Sequence, residues 1–136
     1  MIVADANLLV YAIIPSDMNE PAEKVFLRDP EWSAPVLWRS EFRNVLAGCL
    51  RRGDMTYPET LNAIRRAETI LGGREFMIQD AAVMRCVRDS RCTAYDCEYV
   101  ALAEELGVPL VTADRKLLQA VPDIAVSLQE FTYAVE

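Results

Sequence analysis

"AYDCEYVALAEELGVPLVTAD", residues 94–114, is the passage on which the fold turns. Its first half places Tyr99, Val100 and Ala103 three, four and seven residues after Asp96, the spacing of one helical face, with Glu98 and Glu105 on the wet side. Gly107 is the residue type that most readily ends a helix, and Pro109 blocks continuation. Leu110 to Thr112 is then a short apolar run, read as a buried strand, that stops two residues before Asp114. The order is helix, strand, acid.

The opening "MIVADANLLV" ends the same way: residues 1–5 read as a buried strand terminating at Asp5, followed by a helix from about Asn7 to Ile14 that Pro15 ends. A second helix is expected from near Pro21 to Arg28, since proline suits a first turn, and a short strand around Trp32 to Ala34. "VLWRSEFRNVLAGCLRRGD", residues 36–54, predicts a long helix with Phe42, Val45, Leu46, Cys49 and Leu50 on one stripe and Gly53 as its stop. Thr56-Tyr57-Pro58-Glu59 has capping-box spacing and starts a partner helix through Leu61, Ile64 and Ile70 to Gly72-Gly73. Together these two form a projecting hairpin at about residues 37–71. A short apolar run at Phe76 to Ile78, a helix holding Ala82, Val83 and Cys86, and a last strand at Ile124 to Leu128 complete the reading. Helices alternating with short apolar strands predict an α/β fold whose mostly parallel sheet is covered on both faces. Sites in such sheets lie beyond the carboxyl ends of the strands, which puts Asp5 and Asp114 on the functional edge.

Length and composition fit a single domain over residues 1–136: hydrophobic residues are 52% and charged ones 26%, the balance of a soluble globular chain. The longest apolar stretch, Leu8 to Ile14, falls far short of the roughly 20 residues that span a membrane, and no export leader is evident, so a cytoplasmic protein without membrane contact is expected. Cys49, Cys86, Cys92 and Cys97 form no C-x-x-C pair, and with no histidine in the chain they read as free thiols rather than zinc ligands. Lack of imidazole also excludes Ser-His-Asp and Cys-His nucleophile systems and leaves hydrolytic chemistry to carboxylates. The 21 acids exceed the 14 bases, and a net charge of -7 repels a polyanion unless metal ions or a local basic surface intervene. Ten arginines against seven acids between Val36 and Cys92 make that segment locally +3 and leave -10 for the rest. Such asymmetry suits a basic arm over an acidic site, and equally suits arginines that solvate helices.

Two further acids sit where a helix pattern wants hydrocarbon. Asp96 opens the apolar stripe of its helix, and Glu41 shares a face with Val45 and Gly48, so both are expected to point inward. Each of the four acids has a local reading: Asp96 as an N-cap, Asp5 and Asp114 as turn or cap residues, Glu41 at the positive end of its helix. Jointly they are harder to dismiss, because two ionised carboxylates about 4 Å apart repel by about 4 kcal/mol at an effective dielectric near 20. A divalent cation removes that penalty, and an all-oxygen shell favours Mg²⁺ or Mn²⁺. Asn7 and Thr112, each two residues from a strand-end acid, are candidates to orient those acids by hydrogen bonds, or plain turn and sheet residues.

"VADANLLV" around Asp5, "SEFRNVL" around Glu41 and the 94–114 block with Asp96 and Asp114 resemble the PIN domains, and among them the VapC-type toxins of toxin–antitoxin pairs. The resemblance spans almost the whole chain, and the 94–114 block is its most distinctive part. It implies a three-layer α/β/α sandwich nuclease that cuts single-stranded RNA or exposed loops with Mg²⁺ or Mn²⁺. It further implies Asp5, Glu41, Asp96 and Asp114 as the metal-binding and catalytic acids with Asn7 and Thr112 in support, a homodimer, and a VapB-type antitoxin partner. Arg39, Arg43, Arg51 and Arg52 are candidates to guide the RNA backbone. The alternatives are an RNA-processing PIN nuclease without an antitoxin and a catalytically silent binding module. A phosphoacceptor receiver domain fits less well, since Asp5 lacks an adjacent acid and Lys116 follows the fourth acid rather than a later strand.

Overall fold

Ile2, Val3 and Ala4 have no solvent exposure and form β1, the central strand of a five-stranded sheet. The computed structural model describes residues 1–134. From β1 (Ile2–Ala4) the chain runs through α1 (Ala6–Ile13), α2 (Asn19–Arg28), β2 (Trp32–Pro35), α3 (Trp38–Arg52), α4 (Tyr57–Leu71), β3 (Glu75–Phe76) and α5 (Asp80–Asp89). It continues with α6 (Ala94–Leu106), β4 (Leu110–Val111), α7 (Arg115–Ala120), β5 (Ala125–Val126) and α8 (Leu128–Tyr133). All neighbouring strands are parallel, in the order β3-β2-β1-β4-β5. Parallel pairing forces crossovers through helices, so both faces of the sheet are covered and its strands are apolar throughout.

Alternation along the strands divides the core in two. Ile2, Ala4, Trp32, Ala34 and Val111 face a layer built from α1, α2, α3, α4 and α8, while Val3, Leu110 and Ala125 face α5, α6 and α7. The result is a helix–sheet–helix sandwich. Trp32, Trp38 and Phe42 are fully buried in the first layer, and each such side chain contributes about 1.5–3 kcal/mol relative to exposure. Trp38 meets Phe42 edge-on with ring centroids 5.8 Å apart, which ties the first turn of α3 to its second.

The α3–α4 hairpin lies on the sheet rather than projecting from it. Both helices pack on α1, and α4 also covers β2. The fully buried face of α4 is Thr60, Ala63, Ala67 and Leu71, with Ile64 and Ile70 partly buried against the same core, while Leu61 is 38% exposed. Small residues win there because they let a helix approach the sheet closely, so their low hydrophobicity hides the true face. Val45 and Leu50 of α3 are likewise exposed, and the stripe instead runs Trp38, Phe42, Leu46, Cys49. The expected capping box at Thr56 and Glu59 is present, and Gly53 and Gly72 end their helices at positive φ, the left-handed region glycine favours. Toward the end of the chain the strand expected over Ile124 to Leu128 is only β5, because the Ser127 side chain accepts from the Glu130 N–H and starts α8. Helix α7, six residues long, was also too short to betray a period.

Candidate functional site

Between β1 and β4 the winding of the sheet reverses: the chain leaves β1 toward β2 on one side and returns to β4 on the other. At such a reversal the connections diverge and leave a crevice at the carboxyl ends of the strands. Asp5 follows β1 and Asp114 follows β4, so the reversal lies between them. Asp5 caps α1: one oxygen, Oδ1, accepts from the Ala6 N–H at 2.8 Å. The other, Oδ2, accepts from the Thr112 hydroxyl at 2.6 Å and the Asn7 amide at 3.3 Å. Thr112 Oγ1 in turn accepts from the Asp114 N–H at 2.9 Å and the Asn7 amide at 3.4 Å, and Asn7 Oδ1 accepts from the Ala113 N–H at 3.3 Å. Asn7 and Thr112 thus knit the end of β1 to the segment carrying Asp114. Asp114 caps α7 with Oδ1, which accepts from the Lys116 N–H at 2.8 Å. The Asp114 cap uses one carboxylate oxygen and leaves the second, whereas both Asp5 oxygens already accept hydrogen bonds.

Glu41 comes from the first turn of α3 and Asp96 from the first turn of α6. Thr93, not Asp96, caps α6: its hydroxyl oxygen accepts from the Asp96 N–H at 3.1 Å, which leaves the Asp96 side chain free of that duty. Tyr99, one turn further along α6 and 1% exposed, donates its hydroxyl to Glu41 Oε1 at 2.7 Å. Sequence reasoning read Tyr99 only as part of an apolar stripe. The signal for its role was its position three residues after Asp96, on the same helical face.

The electrostatics of these acids link them across four segments. Burial pushes the Asp5 carboxyl up to about 6; the Thr112 and Ala6 hydrogen bonds oppose the rise, and the charges of Glu41 and Asp96 add to it. Burial raises Glu41 as well, against the Tyr99 hydrogen bond and with the Asp96 charge. Asp96 is raised by burial and then by the charge of Asp114, with Thr93 and Lys116 opposing. Among the described residues none of the four acids has an ion-pair partner within 4.0 Å. Nor do any three Cys, Asp or Glu side chains among them stand grouped tightly enough to enclose a metal ion. What suits a hard dication is the donor chemistry: mutually repelling, buried or half-buried carboxylates without an ion pair among the described residues and no imidazole in the chain.

A family model described as the PIN domain matches residues 2–123. The chain belongs to the PIN domain family. Ribonuclease VapC3 of Pyrobaculum aerophilum is 28% identical to this PIN domain over 126 residues, covering 89% of this chain and 95% of that one. The crystal structure of PAE2754 from the same organism superposes with a TM-score of 0.73 at 21% identity, over 96% of this chain and 85% of the other. FitAcB from Neisseria gonorrhoeae superposes with a TM-score of 0.69 at 18% identity, over 93% and 96%. At those identities the two solved structures establish the shared fold, an α/β sandwich on a parallel sheet.

The remaining sequence candidates of this PIN domain divide by their partners. Arg39 is committed: its guanidinium pairs with Glu75 at 2.8 Å and Glu68 at 3.2 Å and lies over the Trp38 ring. Arg52 pairs with Asp54 at 2.9 Å. Arg43 and Arg51 are exposed on α3, without an ion pair among the described residues. The four cysteines are free thiols, three of them buried. Cys86 and Cys97 both lie within 4 Å of the Ser90 hydroxyl, and burial pushes the Cys97 thiol up to about 12, so it stays protonated and serves packing.

Proposed function

We propose that this PIN domain is a Mg²⁺- or Mn²⁺-dependent endoribonuclease that hydrolyses phosphodiester bonds in RNA, and the toxin of a toxin–antitoxin pair. The observation that carries the reading is the coupling of Asp5, Glu41 and Asp96, and of Asp96 with Asp114, at the crevice where the sheet reverses. The name of the relative from Pyrobaculum aerophilum, a ribonuclease, supports the reaction class. Asp5, Glu41, Asp96 and Asp114 are the residues that would hold the ions. Bound there, a dication supplies charge for the attacking and leaving oxygens of an in-line displacement at phosphorus.

The chain's own part is to keep those carboxylates in place. Thr112 and Asn7 fix the orientation of Asp5, Tyr99 fixes Glu41, and Thr93 sets the first turn of α6 that presents Asp96. Arg43 and Arg51 are the uncommitted cations on the helix that carries Glu41, suited to steer a phosphate backbone toward it. An antitoxin and a second copy of the chain are the proposed partners, and Val45 and Leu50 on α3 with Leu61 on α4 offer exposed apolar surface for them to cover. No described helix is long and apolar enough to cross a membrane, and the proposed compartment is the cytoplasm, where the RNA is.

Incubation of the purified chain with single-stranded RNA in Mg²⁺ or Mn²⁺ should yield defined fragments. Chelation, Asp5→Asn and Asp114→Asn should each abolish them, and calorimetry should show manganese uptake that the two variants lose. Cleavage that persists in chelator, or in both variants, would overturn the assignment; no cleavage under any condition would make the chain a binding module.

A further inference from the structure

Beside Asp96 lies a cleft of about 390 Å³ between the α5–α6 turn and α7. Asp96 forms part of its wall, while four further clefts on the surface hold none of the four acids. Arg91 stands on the α5–α6 side and Lys116 on the α7 side. Both are exposed, and neither forms an ion pair within 4.0 Å among the described residues. Lys116 is nonetheless fixed where it starts, because its N–H bonds to Asp114, and its charge is felt at Asp96. Thr93 and Gln119 add a hydroxyl and an amide to the lining, and Leu117 an apolar floor.

We infer that this cleft binds one nucleotide of the RNA strand next to the bond being cut, with Lys116 and Arg91 holding its phosphate and Gln119 and Thr93 facing its base and ribose. The inference rests on the ribonuclease reading above and names a substrate contact for it. Three observations converge on it. The size lies at the lower end of small-ligand pockets, right for a single nucleotide rather than a folded partner. The chain carries a net charge of -7, so a polyanion needs local cations, and two without an ion pair among the described residues are here, on opposite walls of one cleft that also holds the single acid Asp96. Arg39 and Arg52, by contrast, are already neutralised by carboxylates. The cleft's amide and hydroxyl donors also match the polar edge of a base and its ribose.

The test uses the full chain carrying Asp5→Asn, so that RNA is not consumed, with a fluorescently labelled single-stranded RNA decamer as the probe in Mg²⁺. Lys116→Ala and Arg91→Ala should each weaken binding roughly three- to tenfold. Each should also lower the slope of log affinity against log salt by about 0.7, the value for one phosphate contact to a single strand. Lys116→Arg should restore both. Lys24→Ala, on α2, is the control for general charge loss and should change neither. Unchanged affinity and slope in both cleft variants would overturn the inference, as would an equal loss in the control, or failure of the Asp5→Asn chain to bind RNA at all. Cleavage by the wild-type chain separates the two claims. If it cuts RNA while the cleft variants bind normally, the nuclease stands and the subsite falls. If it cuts nothing yet the cleft variants lower the salt slope, the cleft stands as an RNA contact and the nuclease falls.

Discussion

Asp5 is 7% exposed, and that burial lifts its carboxyl from an ordinary 3.8 to about 6. Between those values the folded chain binds a proton that the unfolded chain releases. The stabilisation is therefore complete below about pH 4 and is lost as the pH rises through 6. At neutral pH the buried charge costs roughly 3 kcal/mol at 1.36 kcal/mol per pKa unit. Asparagine removes the charge but accepts through one oxygen only, so it gives back about 1 kcal/mol in lost hydrogen bonding to Ala6 or Thr112. Metal-free Asp5→Asn should accordingly be more stable than the wild type by about 1–2 kcal/mol at pH 7.5 and no more stable at pH 4, as read by denaturant titration. A gap that does not change with pH would show that the Asp5 carboxyl binds its proton equally well in the folded and unfolded chain, with no shift from burial. Tyr99→Phe acts in the opposite sense on Glu41, whose pKa burial raises and the Tyr99 hydroxyl holds back. Its removal should shift the acidic limb of the cleavage profile to higher pH and cut activity at neutral pH about tenfold, a displacement that loss of packing alone would not produce.

At the scale of the element, α6 does two jobs: its first turn carries Asp96 and its next carries Tyr99. Thr93 is what starts that helix, and Thr93→Ala should cost about 1 kcal/mol, lowering the melting temperature by about 3–4 °C, with Thr93→Ser restoring it. Melting identical to the wild type would mean that the cap does not hold the turn. The 94–114 block was readable because every signal agreed: a stripe, Gly107 at positive φ as the stop, and a strand of buried residues after it. α4 was readable in extent, while the most buried part of its face was not. Its ends are marked by Thr56 and Gly72, but Ala63 and Ala67 earn their buried places through close approach to β2, which hydrophobicity does not record. The same holds for Tyr99, whose ring belongs to the core and whose hydroxyl belongs to the site.

The whole molecule joins segments that the sequence keeps far apart. Strand-end acids could be recognised locally, since an apolar run followed by aspartate is visible within ten residues. Their partnership could not, because it depends on β1 pairing with β4 at the register Val3 to Leu110 and Ala4 to Val111. The hydrogen bonds of Asn7 and Thr112 across that junction, with a sequence separation of 105, follow from strand order alone. That order also governs how the protein is made. On the ribosome β1 emerges before the other four strands and finds β2 after about thirty residues, yet its other edge stays bare until residues 110 and 111 have been translated. Any product released before that point carries an unpaired apolar strand, an invitation to aggregate, and lacks the last acid. Premature termination therefore leaves debris for proteases rather than a partly active fragment.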